Sequence, residues 1–205
     1  MKLLRLVTGL LRVNTYFLVD EATNKAVVID CGERYKQVKE AEKSLGVKIE
    51  AVLLTHAHFD HSGCAKKLQD DGAKIYVSKK DAPKLMNEQN LSSDFGRTFE
   101  YLTADYTFDD GDEIDILGIK FKVMMTPGHT DGSATFLVGD ALFTGDTLFL
   151  GSVGRTDFVT GDRDDLIKSV KKLFALEGDY SVYPGHDDFT TLDYERKFNI
   201  MAEYD

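Results

Sequence analysis

The sequence predicts an α+β fold in which two sheets pack face to face with helices outside, a four-layer αββα sandwich. Each half of the chain runs through short strand patterns and then into a helix pattern, so the same plan occurs twice. No linker separates the halves. Of the 205 residues 42% are apolar, enough for one sizeable core. A single domain over residues 1–205 is therefore expected.

In order, residues 3–7, 15–19 and 26–30 have strand composition and read as an antiparallel meander, the third strand entered through the turn Glu21-Ala22-Thr23-Asn24-Lys25. Residues 34–45 follow a helical period that Gly46 stops, and 49–55 return to strand. Then come a helix at 62–70, a strand at 74–77 and a helix at 79–86, whose Pro83 is tolerated in a first turn. Residues 87–105 show no period, and a connection of that length is expected to serve as a lid or binding loop.

The second half alternates as two hairpins, 113–117 with 119–126 turned at Gly118, and 134–138 with 141–144 turned at Gly139-Asp140. A helix at 163–174, a strand at 181–183 and a closing helix at 191–202 complete it, giving two mixed or antiparallel sheets.

Charge and composition narrow the function. A formal net charge of -10 opposes wrapping a phosphate backbone, and bound cations would neutralise part of it. Apolar runs fall well short of the roughly 20 residues of a membrane span, so neither signal peptide nor anchor is expected. Two cysteines without C-x-x-C spacing form no disulfide framework, and a reducing cytoplasm is the expected compartment. The expected partner is a small-molecule substrate, with no nucleic acid and no membrane.

Chemistry concentrates in Thr55-His56-Ala57-His58-Phe59-Asp60-His61, directly after the apolar run Ala51-Val52-Leu53-Leu54. Imidazole nitrogen and carboxylate oxygen are ligands for zinc, iron and manganese. In extended backbone, His56 and His58 point to one side and can share a metal, leaving Asp60 and His61 to face a second ion. The two remaining histidines, His129 and His186, each sit in a Pro-Gly-His turn after a predicted strand. Gly145-Asp146-Thr147, again at a strand end, adds a carboxylate able to bridge two cations.

The order H-x-H-x-D-H, a distant H, then D, then H resembles the metallo-β-lactamase superfamily over nearly the whole chain. The resemblance implies His56, His58 and His129 on one metal, Asp60, His61 and His186 on the other, and Asp146 between. Two divalent ions are implied, zinc first, with iron or manganese as alternatives. Gly145-Asp146-Thr147-Leu148-Phe149 followed by Gly154-Arg155-Thr156-Asp157 is similar to the glyoxalase II branch, especially its short hydroxyacylglutathione-hydrolase-like members. Glyoxalase II itself has a further C-terminal helical region that grips glutathione, whereas 19 residues follow His186 here. In Asp30-Cys31-Gly32 a cysteine replaces the family's proline, a change expected to bear on loop stiffness and not on metal binding.

The resemblance implies a binuclear metal-dependent hydrolase. Two divalent cations ~3.5 to 4 Å apart bring a shared water's pKa towards ~7, so no serine or cysteine nucleophile is required. Asp60 is the expected catalytic proton acceptor as well as a ligand. A thiolate leaving group suits zinc, which points to thioesters of glutathione or a similar small thiol. The alternative is a persulfide dioxygenase, similar in fold and carrying the same seven residues around one iron. Tyr183-Pro184-Gly185-His186 and the short loop after it resemble the hydrolases more closely. Lactone or phosphoester hydrolysis ranks third. Flavodiiron-like electron transfer is opposed by His58, where that group has glutamate.

Among the remaining residues, Arg155 reads equally as a contact for an anionic substrate or as a loop brace paired with Asp157. Tyr183 reads as a pocket wall or as packing at a strand end. Thr130 and Ser133 either brace ligands from behind or cap the next element. Cys64 is expected on the first turn of a helix, facing the core.

Overall fold

The structure, a computed structural model, describes residues 1–203. An antiparallel meander of β1 (Lys2–Thr8), β2 (Val13–Asp20) and β3 (Lys25–Ile29) opens the chain. Helix α1 (Tyr35–Leu45) crosses to β4 (Lys48–Leu53), and α2 (Phe59–Ser62) with α3 (Ala65–Asp70) crosses to β5 (Lys74–Ser78). A long irregular segment leads to β6 (Tyr106–Phe108). Strands β3 to β6 are parallel, so the first sheet is mixed, in the order β1-β2-β3-β4-β5-β6.

The second sheet contains β7 (Glu113–Ile116), β8 (Ile119–Met125), β9 (Ala134–Val138) and β10 (Ala141–Gly145), all antiparallel neighbours. A ribbon of β11 (Leu148–Phe149) and β12 (Ser152–Val153) and helix α4 (Arg163–Phe174) precede β13 (Ser181–Pro184), which lies parallel to β10. Strand β14 (Thr190–Thr191) and α5 (Leu192–Phe198) complete this half, and the order is β14-β13-β10-β9-β8-β7.

Side-chain alternation builds the layers, because successive residues of a strand face opposite sides. On β2, Phe17 and Val19 pack towards α1 and α3, while Tyr16 and Leu18 pack into the inter-sheet layer. On β3, Ala26 and Val28 face out while Val27 and Ile29 face in. In the second sheet Leu142 and Val182 meet α4 and α5, while Phe143 and Tyr183 meet the first sheet. These three apolar layers account for the αββα sandwich. No helix among the described residues is long and apolar enough to cross a membrane.

Helix ends follow local chemistry. Gly46 ends α1 in the left-handed region at φ 65°, and the Asp162 side chain accepts the Asp165 N–H at the start of α4.

Three expectations need correction. The helix expected at 62–70 is broken at Gly63-Cys64. The His61 carbonyl accepts Cys31 N–H at 2.8 Å and Gly32 N–H at 3.1 Å, and Cys64 N–H donates back to the Gly32 carbonyl. The helix expected at 79–86 is a 3₁₀ turn at Ala82–Met86, with Pro83 in its first turn. The closing helix stops at Phe198 because Asn199 turns extended. Strands β6, β11, β12 and β14 were not expected; at two or three residues they are too short to show a period. The segment 87–105 is irregular apart from a 3₁₀ turn at Glu88–Asn90.

Candidate metal centre

The seven candidate ligands come from the loop after β4, from α2, from the ends of β10 and β13 and from the turn after β8, which the topology brings to one edge of the sandwich. The structure gathers them into three overlapping groups whose ligand atoms lie within 4.8 Å of one another: His56, His58 and His129; His56, His61 and Asp146; and Asp60, His61 and His186. The Asp146 carboxylate lies between, with Oδ1 3.3 Å from His61 Nε2, and Oδ2 3.5 Å from His129 Nε2 and 3.6 Å from His186 Nε2. Asp60 Oδ2 is 3.3 Å from His186 Nε2.

Backbone and side-chain partners aim each ring. His129 Nδ1–H donates to the Arg155 carbonyl at 2.8 Å, and His186 Nδ1–H donates to the Leu11 carbonyl at 3.0 Å. His61 Nδ1 lies 2.8 Å from Asp30 Oδ2. In the neutral ring these bonds favour the proton on Nδ1, which leaves Nε2 facing inwards as the ligand atom. His58 is reversed, its Nδ1 facing His129 Nε2 at 2.9 Å. Close approach leaves no room beside the carboxylate: a Cβ on Gly185 would lie 2.3 Å from Asp146 Oδ1 and 2.7 Å from His61 Cε1.

The electrostatics divide the cluster. Burial, reinforced by the neighbouring imidazoles, pushes His56 and His58 well below the usual imidazole range, so both are neutral, the form that binds metal. Burial also opposes charge on His61, but Asp146, Asp60 and Asp30 outweigh it and raise its pKa well above the ordinary value. For Asp146 burial is likewise overcome, here by His61 and His186, which hold the carboxyl well below its usual range. The carboxylates thus stabilise positive charge in the middle of the cluster.

Among the described residues two buried side-chain polar atoms, His56 Nε2 and Asp146 Oδ1, have no hydrogen-bond partner. Buried polar groups are ordinarily satisfied. Orphaned nitrogen and oxygen atoms at the centre of an imidazole and carboxylate set fit a divalent metal pair.

Above the cluster lies a cleft of about 400 Å³, walled by Phe59, Leu91, Phe95, Phe149 and Phe158, with Arg155 at its mouth. The irregular segment 87–105 thus contributes Leu91 and Phe95. Arg155 donates to both Asp157 oxygens at 2.6 Å while its guanidinium carbon lies 4.1 Å from the Phe158 ring centre. Tyr183 is a correction: it does not line this cleft. The alternation along β13 turns its ring into the inter-sheet layer, stacked on Phe143 at 5.2 Å.

Asp30 is a residue that sequence reasoning missed. It orients a candidate ligand, since Asp30 accepts Thr55 N–H and the Thr55 hydroxyl, both at 2.8 Å, besides meeting His61. Its place at the end of a strand, in the Asp-Cys-Gly turn, was the available signal. The Leu11 and Arg155 carbonyls leave no side-chain signal.

The chain matches the metallo-beta-lactamase superfamily over residues 8–186. It is 33% identical over 193 residues to the hydroxyacylglutathione hydrolase GloC of Haemophilus influenzae, with 91% of each chain covered. It resembles the crystal structure of the B3 metallo-beta-lactamase BLEG-1 at a TM-score of 0.93, with 31% identity over 98% of this chain and 100% of that one. It also resembles TTHA1623, solved in a di-iron-bound form, at a TM-score of 0.86, with 30% identity over 96% of this chain and 98% of that one. With the fold, the histidine and aspartate groups and the family match in agreement, the chain belongs to the metallo-beta-lactamase superfamily and is a metal-binding hydrolase of that family.

Proposed function

We propose that the protein is a binuclear-metal thioesterase acting on S-acyl glutathione or a similar small thiol conjugate. The observation that carries this reading is the arrangement of seven ligand side chains as two sets joined by Asp146 at the floor of a small-molecule cleft. His56, His58 and His129 would hold one ion, and Asp60, His61 and His186 the other. A divalent pair, when bound, supplies Lewis-acid polarisation of a carbonyl and brings the pKa of water to about 7.

The chain's own residues do the rest. Asp60 faces the cleft as a carboxylate, its pKa lowered against the effect of burial by His61 and His186, and takes up the proton released during attack. The apolar walls exclude water and hold the acyl group. Arg155 stands at the mouth for an anionic end of the substrate. No thiol competes as nucleophile, because Cys31 and Cys64 are fully buried in the layer beneath α3. Likeness to the hydroxyacylglutathione hydrolase GloC supports the thioester reading.

A second reading has one observation in its favour. His56, His61 and Asp146 form a two-histidine, one-carboxylate group, the donor set of non-haem iron oxygenases. The test runs two assays on one preparation, as isolated and after metal exchange: thiol release from S-lactoylglutathione, and oxygen uptake with glutathione persulfide. Thioester cleavage is expected with zinc. Oxygen uptake without cleavage under any metal overturns the hydrolase reading; silence in both assays moves the substrate outside thiol chemistry.

A further inference from the structure

Behind the cluster sits a buried ion pair that the reaction does not use. Asp81, in the turn after β5, and Lys84, in the 3₁₀ turn that follows it, are 0% and 2% exposed. The Lys84 ammonium donates to Asp81 and, at 2.5 Å, to Asp131. Asp81 Oδ2 accepts Ala57 N–H at 2.8 Å, and the Thr130 hydroxyl lies 3.1 Å from each Asp81 oxygen. Ala57 stands between His56 and His58, and Thr130 directly follows His129. Thus Asp81 touches both segments that bear the three imidazoles of one set.

We propose that the Asp81–Lys84 pair is a positioning device for the set His56, His58 and His129, locking the β4 loop and the His129 turn into a single register. This rests on the reading of those residues as metal ligands.

Three further features support the assignment. Ser78 Oγ donates to the Gly132 carbonyl at 2.6 Å, so the same turn grips the His129 loop at a second point. A Cβ on Gly132 would lie 2.2 Å from Asp81 Oδ1, so the two segments meet with no space for a side chain. A buried ion pair is a weak source of stability, so the contribution assigned to this one is geometric: Lys84 ties Asp81, behind the β4 loop, to Asp131 in the His129 loop. The other set is held by different groups: Asp30 on His61, the Leu11 carbonyl on His186, and Asn14 and Tyr16 donating to the Pro184 carbonyl at 2.9 and 2.7 Å. The pair has no bond to any of these. Its influence is therefore selective for one ion of the two.

Zinc affinity, measured by competition with a chromogenic chelator, tests this. In Asp81→Asn one ion is expected to weaken by about 10- to 100-fold and the other to keep its affinity, as found when partners behind metal ligands are removed. Placed in a His186→Ala chain, Asp81→Asn is expected to weaken the remaining ion by the same factor; placed in a His129→Ala chain, it is expected to change nothing. Thr130→Val, nearly isosteric, repeats the comparison with a milder change if Asp81→Asn fails to fold. Equal weakening of both ions, or further loss in the His129→Ala chain, reveals a merely structural role and overturns the proposal, as does unchanged affinity throughout. An unaltered chain that retains no zinc overturns the metal centre and the positioning role with it.

Discussion

Asp30 Oδ2 lies 2.8 Å from His61 Nδ1, both side chains buried, and the same carboxylate receives two bonds from Thr55. One acidic side chain thus joins the end of β3, the end of β4 and a candidate ligand. Its backbone is left-handed at φ 51°, a conformation that aspartate and asparagine tolerate better than most residues.

Asp30→Asn should therefore keep the backbone while presenting an amide donor, or a weaker neutral acceptor, to the His61 ring. Zinc affinity is expected to fall by about 10- to 100-fold with little change in secondary structure by circular dichroism. Unchanged affinity by chelator competition would remove Asp30 from the site.

The sequence made the ligands legible because three imidazoles and a carboxylate crowd into positions 56–61 and both other histidines come directly after Pro-Gly. The layers were legible from period-two alternation, and that rule also decides between the two readings of Tyr183: its neighbour Val182 faces the helices, so Tyr183 packs towards the other sheet and does not wall the cleft. Asp81 and Lys84 were hidden because Lys79-Lys80-Asp81-Ala82-Pro83-Lys84 looks like a solvated helix end. Only the tertiary fold buries them. The break at Gly63 depends on the His61 carbonyl finding Cys31 and Gly32, some thirty residues earlier, and no local pattern records it.

Asp146 faces both ligand sets, whereas His186 belongs to one. Asp146→Ala should therefore retain less than one zinc per chain, and His186→Ala close to one, by elemental analysis after gel filtration. Equal loss would mean that Asp146 does not bridge.

The two thiols should be inert in the folded chain. Burial pushes Cys64 up to about 12, with Lys67 opposing weakly, and burial together with Cys64 raises Cys31 well above an ordinary thiol. At pH 8.5 alkylation followed by mass spectrometry is expected to label neither, and to label both in guanidinium. Raised thiol pKa values add stability that is fully present below the unfolded value of ~8.5 and is lost as pH rises towards the folded value. Cys64→Ala should flatten that alkaline decline; an unchanged slope would count against a buried neutral thiol at this position.

Phe158 separates recognition of substrate from metal binding. Its ring meets His58 edge-on at 5.7 Å, lies 6.3 Å from Phe95, and supports the Arg155 guanidinium at 4.1 Å. It supplies no ligand, so Phe158→Ala should leave zinc content unchanged. The truncation removes apolar wall, together with the platform for the Arg155 cation at the cleft mouth. Partial burial of a phenyl group against substrate is worth about 1 to 2 kcal/mol, or about 5- to 30-fold in kcat/KM. The loss should fall mainly on KM, because contacts that hold substrate and transition state equally raise KM when removed. Phe158→Leu, which keeps most of the wall, should recover part of it. Acyl chains of increasing length on a common thiol should widen the gap between the unaltered chain and Phe158→Ala. A drop in zinc content parallel to the drop in rate would instead assign the ring to support of His58, and an equal loss for every acyl length would place the substrate's apolar part elsewhere in the cleft.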